Sequence, residues 1–406
     1  MSGIRVTSEI GTLRKVLLHR PGRELLNLTP DTLERLLFDD IPYLKDAQDE
    51  HDKFAQALRD NDIEVVYLED LMAEVIKDAD LRKQFLNQFI EEGGIKTQRE
   101  HDMVFNFLDS IKDEKELVLK TMEGVRTHEL DHSGKKSLVE MAGEVQDLIL
   151  DPLPNLYFTR DPFASIGKGI SLNRMYSVTR NRETIYADYI FKYHPEYKGN
   201  VPYYYDRTAD FHIEGGDILN INAKTLAIGI SQRTQAQAIE DIARNIFNVE
   251  GTEIETILAI DIPNSRAFMH LDTVFTQVDH DKFTIHPGIL GPLQVFEITK
   301  GQDGDVNIVK IDTDLESILS KHVGRPVTLI KCGGEDMMAS EREQWNDGSN
   351  TLTIAPGVVV VYDRNEISNE LLKSHGLKLI ELRGAELVRG RGGPRCMSMP
   401  LIRDDI

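Results

Sequence analysis

An α/β fold made of repeated strand–turn–helix units, with strand ends gathered around a common axis and a helical segment inserted early, is what this sequence predicts. Three observations carry that expectation. An apolar strand, an arginine in a short polar turn and an amphipathic helix recur four times along the 406 residues. A run of charged amphipathic helices interrupts this rhythm from about Met72 to Leu148. The composition, 40% hydrophobic and 28% charged with 29 Gly and 15 Pro spread along the chain, is that of a packed globular protein with more than one folding unit.

In chain order, the first unit has a strand over Lys15 to His19 followed by Arg20. The second has a strand over Met175 to Val178, then Arg180, then a helix from Tyr186 to Tyr193. The third runs Leu226 to Ile230, Arg233 and a helix from Ala236 to Phe247; the fourth runs Val358 to Tyr362, Arg364 and a helix from Glu366 to His375. A helix start after a strand is a natural anion site, so arginines there suit a carboxylate. Arg20 and Arg364 are read instead as salt-bridging within their own units. In the inserted segment the 3.6-residue period predicts helices over Leu81 to Glu92, His101 to Ile111 and Leu138 to Leu148. Asp151-Pro152-Leu153-Pro154 ends it, because two prolines stop a helix and enforce an extended approach to the next strand.

A formal charge of −21 argues against nucleic acid as a partner, since that binding depends on basic patches. It permits a cationic small molecule without requiring one. The two cysteines, Cys332 and Cys396, read as free cytosolic thiols, and the first residues lack the pattern of a secretion signal. The longest apolar stretch, around Ile354 to Tyr362, is well short of the roughly 20 residues of a membrane helix. The expectation is a cytoplasmic protein with no membrane association.

Cys396 lies in Arg389-Gly390-Arg391-Gly392-Gly393-Pro394-Arg395-Cys396, where glycines allow close backbone approach and cations favour the thiolate. Two further segments, His212-Ile213-Glu214-Gly215-Gly216-Asp217 and His270-Leu271-Asp272, are read as strands on which residues two apart share a face. That reading pairs His212 with Glu214 and His270 with Asp272, sets suited to moving a proton. His212 serves equally well as a satisfied core histidine. In Asn155-Leu156-Tyr157-Phe158-Thr159-Arg160-Asp161-Pro162-Phe163 a carboxylate sits among aromatic rings, as a planar cation requires, although the same residues also make a turn. No His-Glu-x-x-His or Cys-x-x-Cys spacing occurs, so no metal is expected. A thiol, an imidazole, several carboxylates, an aromatic floor and arginines together match a guanidinium that also carries a carboxylate.

With these motifs in this order, the sequence resembles the arginine deiminases of the guanidino-group-modifying superfamily. The likeness runs over the opening strand, Phe38-Asp39-Asp40-Ile41, Asn155 to Phe163, His212 to Asp217, Met269 to Thr273, Glu343-Gln344-Trp345 and the Cys396 loop. It implies a five-fold pseudosymmetric α/β propeller, the pentein fold, over residues 1–71 and 149–406, with a helical-bundle domain inserted at 72–148. It implies hydrolysis of L-arginine to L-citrulline and ammonia without a metal or organic cofactor, in a chain that allows a homo-oligomer. Cys396, His270, Glu214, Asp161 and Asp272 fall at the family's catalytic positions. Asn155, Phe158, Arg180, Arg233, Arg391 and Asp217 fall at substrate-binding positions, with Arg182 an alternative to Arg180 and Asp217 also read as a strand buttress.

A guanidinium carbon is a poor electrophile, so the implied route has Asp161 and Asp272 hold it while Cys396 attacks and His270 protonates the departing ammonia. Because acids near the sulfur raise its pKa and a bound cation lowers it, the thiolate is expected to form as substrate docks. The rival readings are a hydrolase of agmatine or methylated arginine, an inactive binding protein of the same fold, and a metal-dependent urea-forming enzyme.

Overall fold

The computed structural model describes residues 3–131, 138–142, 146–291 and 293–406. Five units of one design follow one another. In each, two strands pair antiparallel, as a hairpin in four units and from the two ends of the chain in one, and a helix then crosses over. A third strand returns parallel to the second, so that the middle strand has neighbours on both sides. The middle strands, such as Thr225–Ile230, read as nearly continuous apolar runs because both their faces are covered.

Unit 1 closes the ring. Its first strand, Met399–Arg403, comes from the end of the chain and pairs antiparallel with Leu13–Leu18, which pairs in parallel with Glu64–Tyr67 after the helix Leu44–Arg59. Unit 2 has Phe163–Ile166, Gly169–Leu172, the helix Glu183–Tyr193 and Tyr203–Tyr205; unit 3 has Ile218–Asn222, Thr225–Ile230, Ala236–Asn248 and Thr256–Asp261. Unit 4 has Phe275–Asp279, Lys282–Ile285, Leu315–Val323 and Thr328–Lys331; unit 5 has Leu352–Ala355, Val358–Tyr362, Glu366–Ser374 and Lys378–Leu382. The helices bury one stripe against their sheets: in Ala236–Asn248 the buried positions are Ala238, Ile239, Ile242, Ala243, Ile246 and Phe247.

Unit 4 escaped the repeat pattern for a structural reason. Between its middle strand and its helix the chain detours through a hairpin, Gln294–Lys300 and Val306–Ile311, that joins the sheet of unit 3. His286, not an arginine, follows its middle strand. In unit 2 the expected strand at Met175 to Val178 is a loop running into the short helix Val178–Asn181, and the middle strand is Gly169–Leu172; the Met175 N–H is taken at 3.2 Å by Asn181 Oδ1 of that helix.

Between Glu64–Tyr67 and Phe163–Ile166 the chain makes the helices Leu68–Val75, Ala79–Glu92, Gln98–Ser110 and Glu114–Glu123. Asp78, Thr97 and Asp113 cap three of them by accepting from their first-turn N–H groups. Gly124 ends the last with φ +84°, where a side chain would also meet Leu150 O at 2.7 Å. The expected helix from Leu138 to Leu148 is replaced by a helix over Leu138–Ala142 and a strand, Leu148–Leu150, paired with Val125–Arg126; residues 143–145 lie outside the described residues. Phe85, Leu86, Phe89 and Ile90 pack in one buried cluster with Tyr186, Tyr189 and Ile190 of unit 2. Among the described residues no helix is long and apolar enough to cross a membrane.

Candidate active site

Each unit's first strand is entered through a tight turn, and these five turns meet at the centre of the ring. Asn155 to Asp161 leads into Phe163, the 3-10 turn Gly215–Asp217 into Ile218, Leu271–Thr273 into Phe275, Asp347 to Asn350 into Leu352, and Leu387–Gly390 with Cys396 into Met399. Backbone groups there lie outside the sheets and are satisfied by side chains from neighbouring units. Asn350 Oδ1 accepts from the Cys396 N–H at 3.0 Å while its Nδ2 donates to Asp272 O at 3.1 Å. Asp217 Oδ1 accepts from the Leu271 N–H at 2.8 Å, and the Arg160 N–H donates to Cys396 O at 3.1 Å.

The Cys396 sulfur lies 3.5 Å from Asp272 Oδ2, and that oxygen also accepts from Arg395 at 2.8 Å. Burial, followed by the charges of Asp272, Asp161 and Asp347, pushes the thiol well above its ordinary range, and Arg395 opposes them only in part. His270 Nε2 is 2.7 Å from Glu214 Oε2, and Nδ1 is 4.0 Å from Asp161 Oδ1. Burial alone would push this imidazole down, but Asp161, Glu214 and Asp217 outweigh it and hold it up at about 9. Gly216 lies under the ring: a Cβ there would come 2.7 Å from His270 Cγ. Glu214 resists its own burial because Arg233, His270 and Arg180 hold it below the usual carboxylate range.

Among the described residues, Asp161 Oδ1 and Asp272 Oδ1 are buried with no hydrogen-bond partner. Such an acceptor forfeits about 1–3 kcal/mol until something donates to it. Arg180 donates to Asp161 Oδ2 at 3.1 Å through both terminal nitrogens and to Glu183 at 2.9 Å, whereas Arg182 turns away, donating to Asp151 O and stacking over Phe89 at 4.9 Å. Of these two arginines, Arg180 is therefore the one beside the acids. Arg233 lies 3.5 Å from Glu214 and over the Tyr176 ring; Arg391, in a left-handed conformation with φ 64°, stacks 3.5 Å from the Trp345 ring centre with Asp39 at 3.9 Å. Phe158 packs on Tyr157 with ring centres 4.0 Å apart, and a Cβ at Gly392 would lie 2.2 Å from it. Asn155 Nδ2 donates to Leu36 O at 2.7 Å, tying this turn to the segment that carries Phe38, Asp39 and Asp40.

The pairing of His212 with Glu214 and of His270 with Asp272 is overturned. Neither segment is a strand: residues 212–214 are irregular chain leading into the 3-10 turn Gly215–Asp217, and Asp272 lies inside the turn Leu271–Thr273, so the strand period of two holds in neither. His270 takes Glu214, Asp272 takes Arg395 and the thiol, and His212 Nδ1 meets Arg233 O at 2.7 Å. Asp217 accepts from Ser231, Thr234 and the Leu271 N–H, the contacts of a buttress; burial raises it to about 6, opposed by the His270 charge and by these three donors. Glu9, Asn350 and Asp347 were missed by sequence reasoning, and none of them carries a local signature. Arg395 was visible as the neighbour of Cys396, but its direction was not.

Asp161, Glu214 and His270 bring three donor atoms within 4.8 Å of one another, close enough to share a metal ion. The same acids already hold Arg180, Arg233 and a raised imidazole. A metal cation there would have to displace charges of its own sign.

A five-unit α/β ring with a thiol, an imidazole and carboxylates at its centre defines a pentein enzyme acting on C–N bonds of amidines. Its fold is shared with an amidinotransferase from Microseira wollei at TM-score 0.56 and 14% identity, covering 99% of this chain and 98% of that one. It is shared too with the N-terminal domain of a cyanobacterial arginine dihydrolase at TM-score 0.53 and 13% identity, covering 96% and 97%. The sequence model described as arginine deiminase matches residues 34–403. An arginine deiminase from Treponema denticola is 60% identical over 409 residues, covering 100% of both chains, and one from Clostridium perfringens is 54% identical over 407, covering 99% of this chain and 98% of that one. The chain belongs to the arginine deiminase family and is a hydrolase of linear amidines that converts arginine to citrulline.

Proposed function

We propose that L-arginine binds with its guanidinium between Asp161 Oδ1 and Asp272 Oδ1 and is hydrolysed through a covalent adduct on Cys396. The two unpartnered buried oxygens carry this reading, because a guanidinium offers donors that satisfy both. Its positive charge also offsets the acids that hold Cys396 as a thiol, so as substrate arrives the sulfur releases its proton to solvent, His270 being already protonated. The thiolate forms a C–S bond at the guanidinium carbon, and His270, protonated at neutral pH, gives its proton to the departing nitrogen, which leaves as ammonia. The now neutral His270, steadied by Glu214, takes a proton from water as that water adds to the amidino-thioether. Loss of the sulfur then yields citrulline and restores the thiol. Arg180, Arg233, Arg391 and Asn155 hold the amino-acid end, with Arg180 leaving Asp161 to do so, and Phe158 packs along the chain.

The same reading makes residues 72–148 an inserted helical domain between 1–71 and 149–406, and assigns the chain to the cytoplasm, where its two buried thiols stay free. Incubation with L-arginine should release citrulline and ammonia but not ornithine, and Cys396→Ala should lower the rate by at least about 10⁴-fold. Agmatine turned over as well as arginine would show that the arginines do not read a carboxylate. Retained activity in Cys396→Ala would end the covalent route.

A further inference from the structure

Beneath Cys396 lies a buried charge cluster that the chemistry above leaves unused. Arg395 is 1% exposed at its side chain, and its Nε and one terminal nitrogen donate to the two oxygens of Glu9 at 3.0 and 3.1 Å. That terminal nitrogen also donates to Ile218 O at 2.8 Å, and the other donates to Asp272 Oδ2 at 2.8 Å. Glu9 arrives from the start of the chain, where its N–H donates to Asn220 O at 2.6 Å and its Oε1 accepts from the Asn220 N–H at 3.1 Å. One guanidinium thus joins the closing segment of the ring, unit 3 and the turn of unit 4.

We propose that Glu9 and Arg395 are positioning residues of the reaction: Arg395 holds Asp272 with Oδ2 beside the sulfur and Oδ1 left for substrate, and Glu9 sets how much of Arg395's charge the sulfur experiences. This rests on the reading of Asp272 and Cys396 given above. Among the described residues, the only side chains donating to the Asp272 carboxylate are Arg395 and the thiol itself, and both use the same oxygen. A wholly buried carboxylate without a cation is strongly disfavoured, so Arg395 at 2.8 Å both offsets the cost of burying Asp272 and orients it. The charges bearing on the sulfur are Asp272, Asp161 and Asp347 against Arg395, with Tyr157 and Tyr362 also coupled to it. Arg160 and Arg403 complete the cluster: Arg160 Nε donates to Arg395 O at 3.3 Å, and both feel Arg395 as a repelling neighbour. Within it Glu9 is the counter-charge to Arg395, held at about 2 because Arg395, Arg160 and Arg403 outweigh its burial.

A purely structural role and this one differ in sign. Removing the Arg395 charge should make the thiol harder to ionise; removing the Glu9 charge, with Arg395 kept, should make it easier. Iodoacetamide alkylation of Cys396 in the free protein at fixed pH reads this without substrate, so its result is independent of whether L-arginine is the substrate. Arg395→Gln should slow alkylation about tenfold and Glu9→Gln should speed it about threefold, within the range that a near charge shifts a pKa. In turnover, Arg395→Gln should lower kcat about 100-fold, the scale of a slight misplacement at the reacting centre, and Arg395→Lys should restore part of it. Alkylation that changes in the same direction in both variants, or in neither, overturns the proposal. If Arg395→Gln does not fold, the isosteric Glu9→Gln decides alone: faster alkylation supports the assignment, and unchanged or slower alkylation refutes it.

Discussion

In the floor of the site Arg395 lies between Glu9 and Asp272 with side chains 1%, 7% and 0% exposed; in the roof Arg389 reaches Asp40 with side chains 38% and 56% exposed. Both are arginine–carboxylate contacts, but they do different work. In the floor each charge has given up water and depends on its partner, so loss of one member costs about 3–5 kcal/mol. In the roof, Asp40 with Arg389 and Glu386 with the Tyr43 N–H join the segment 38–43 to 386–391 near the surface, while Asp39 faces the buried Arg391 at 3.9 Å. Exposed pairs contribute about 0–1 kcal/mol each. The floor therefore fixes geometry, and the exposed contacts of the roof hold far more weakly.

Glu214→Gln should break the floor with the largest effect. It leaves Arg180, Arg233 and His270 facing one another without their common carboxylate. Because the folded His270 sits at about 9, above its unfolded value of about 6.5, its stabilisation is complete below about 6.5 and is lost as pH rises through about 9. The acid form that ammonia departure needs disappears over the same window. Glu214→Gln should lower kcat by about 10²–10⁴-fold and move the alkaline limb of kcat/KM to lower pH. A pH–rate profile tests it, and an unmoved alkaline limb would detach His270 from Glu214.

The floor was only partly legible in the sequence. Its members were found as residue types in compact motifs, because Cys396 among glycines, His270 beside Asp272 and Asp161 among aromatics each carry local signatures. Their partners were not, because partnership here is set by which unit lies across the ring: His270 meets Glu214 at a separation of 56 residues and Arg395 meets Glu9 at 386. Period-2 reasoning failed where it was applied to irregular chain and to the 3-10 turns that follow it. The fold was legible where a strand flows directly into its helix, as at Thr225–Ile230 and Ala236–Asn248, and illegible in unit 4, where the inserted hairpin separates the two.

Gly216→Ala probes the floor by volume instead of charge. The new Cβ would press on the His270 ring at 2.7 Å, and the ring, held by Glu214, can yield only by leaving its hydrogen bond. Since Gly216 is outside the positive-φ region, the backbone accepts alanine. The expected outcome is a fall in kcat of about 100-fold with KM for arginine changed much less. Steady-state kinetics separates the two constants; an unaffected kcat would mean that the imidazole has room to move.

The smallest effect should come from the roof. Asp40→Ala removes one partner of Arg389, which keeps Glu386 at 3.0 Å, so the segment stays attached by the Tyr43 N–H on that same carboxylate and by Asn155 on Leu36 O. Stability should fall by no more than about 1 kcal/mol, and KM should change about two- to threefold with kcat nearly constant. Because the pair is exposed, the difference between variant and parent should shrink as salt rises towards 1 M, whereas the Glu214→Gln defect, buried from counterions, should not. Equal salt sensitivity of the two variants would remove the distinction between floor and roof, since screening reaches only charges that water reaches.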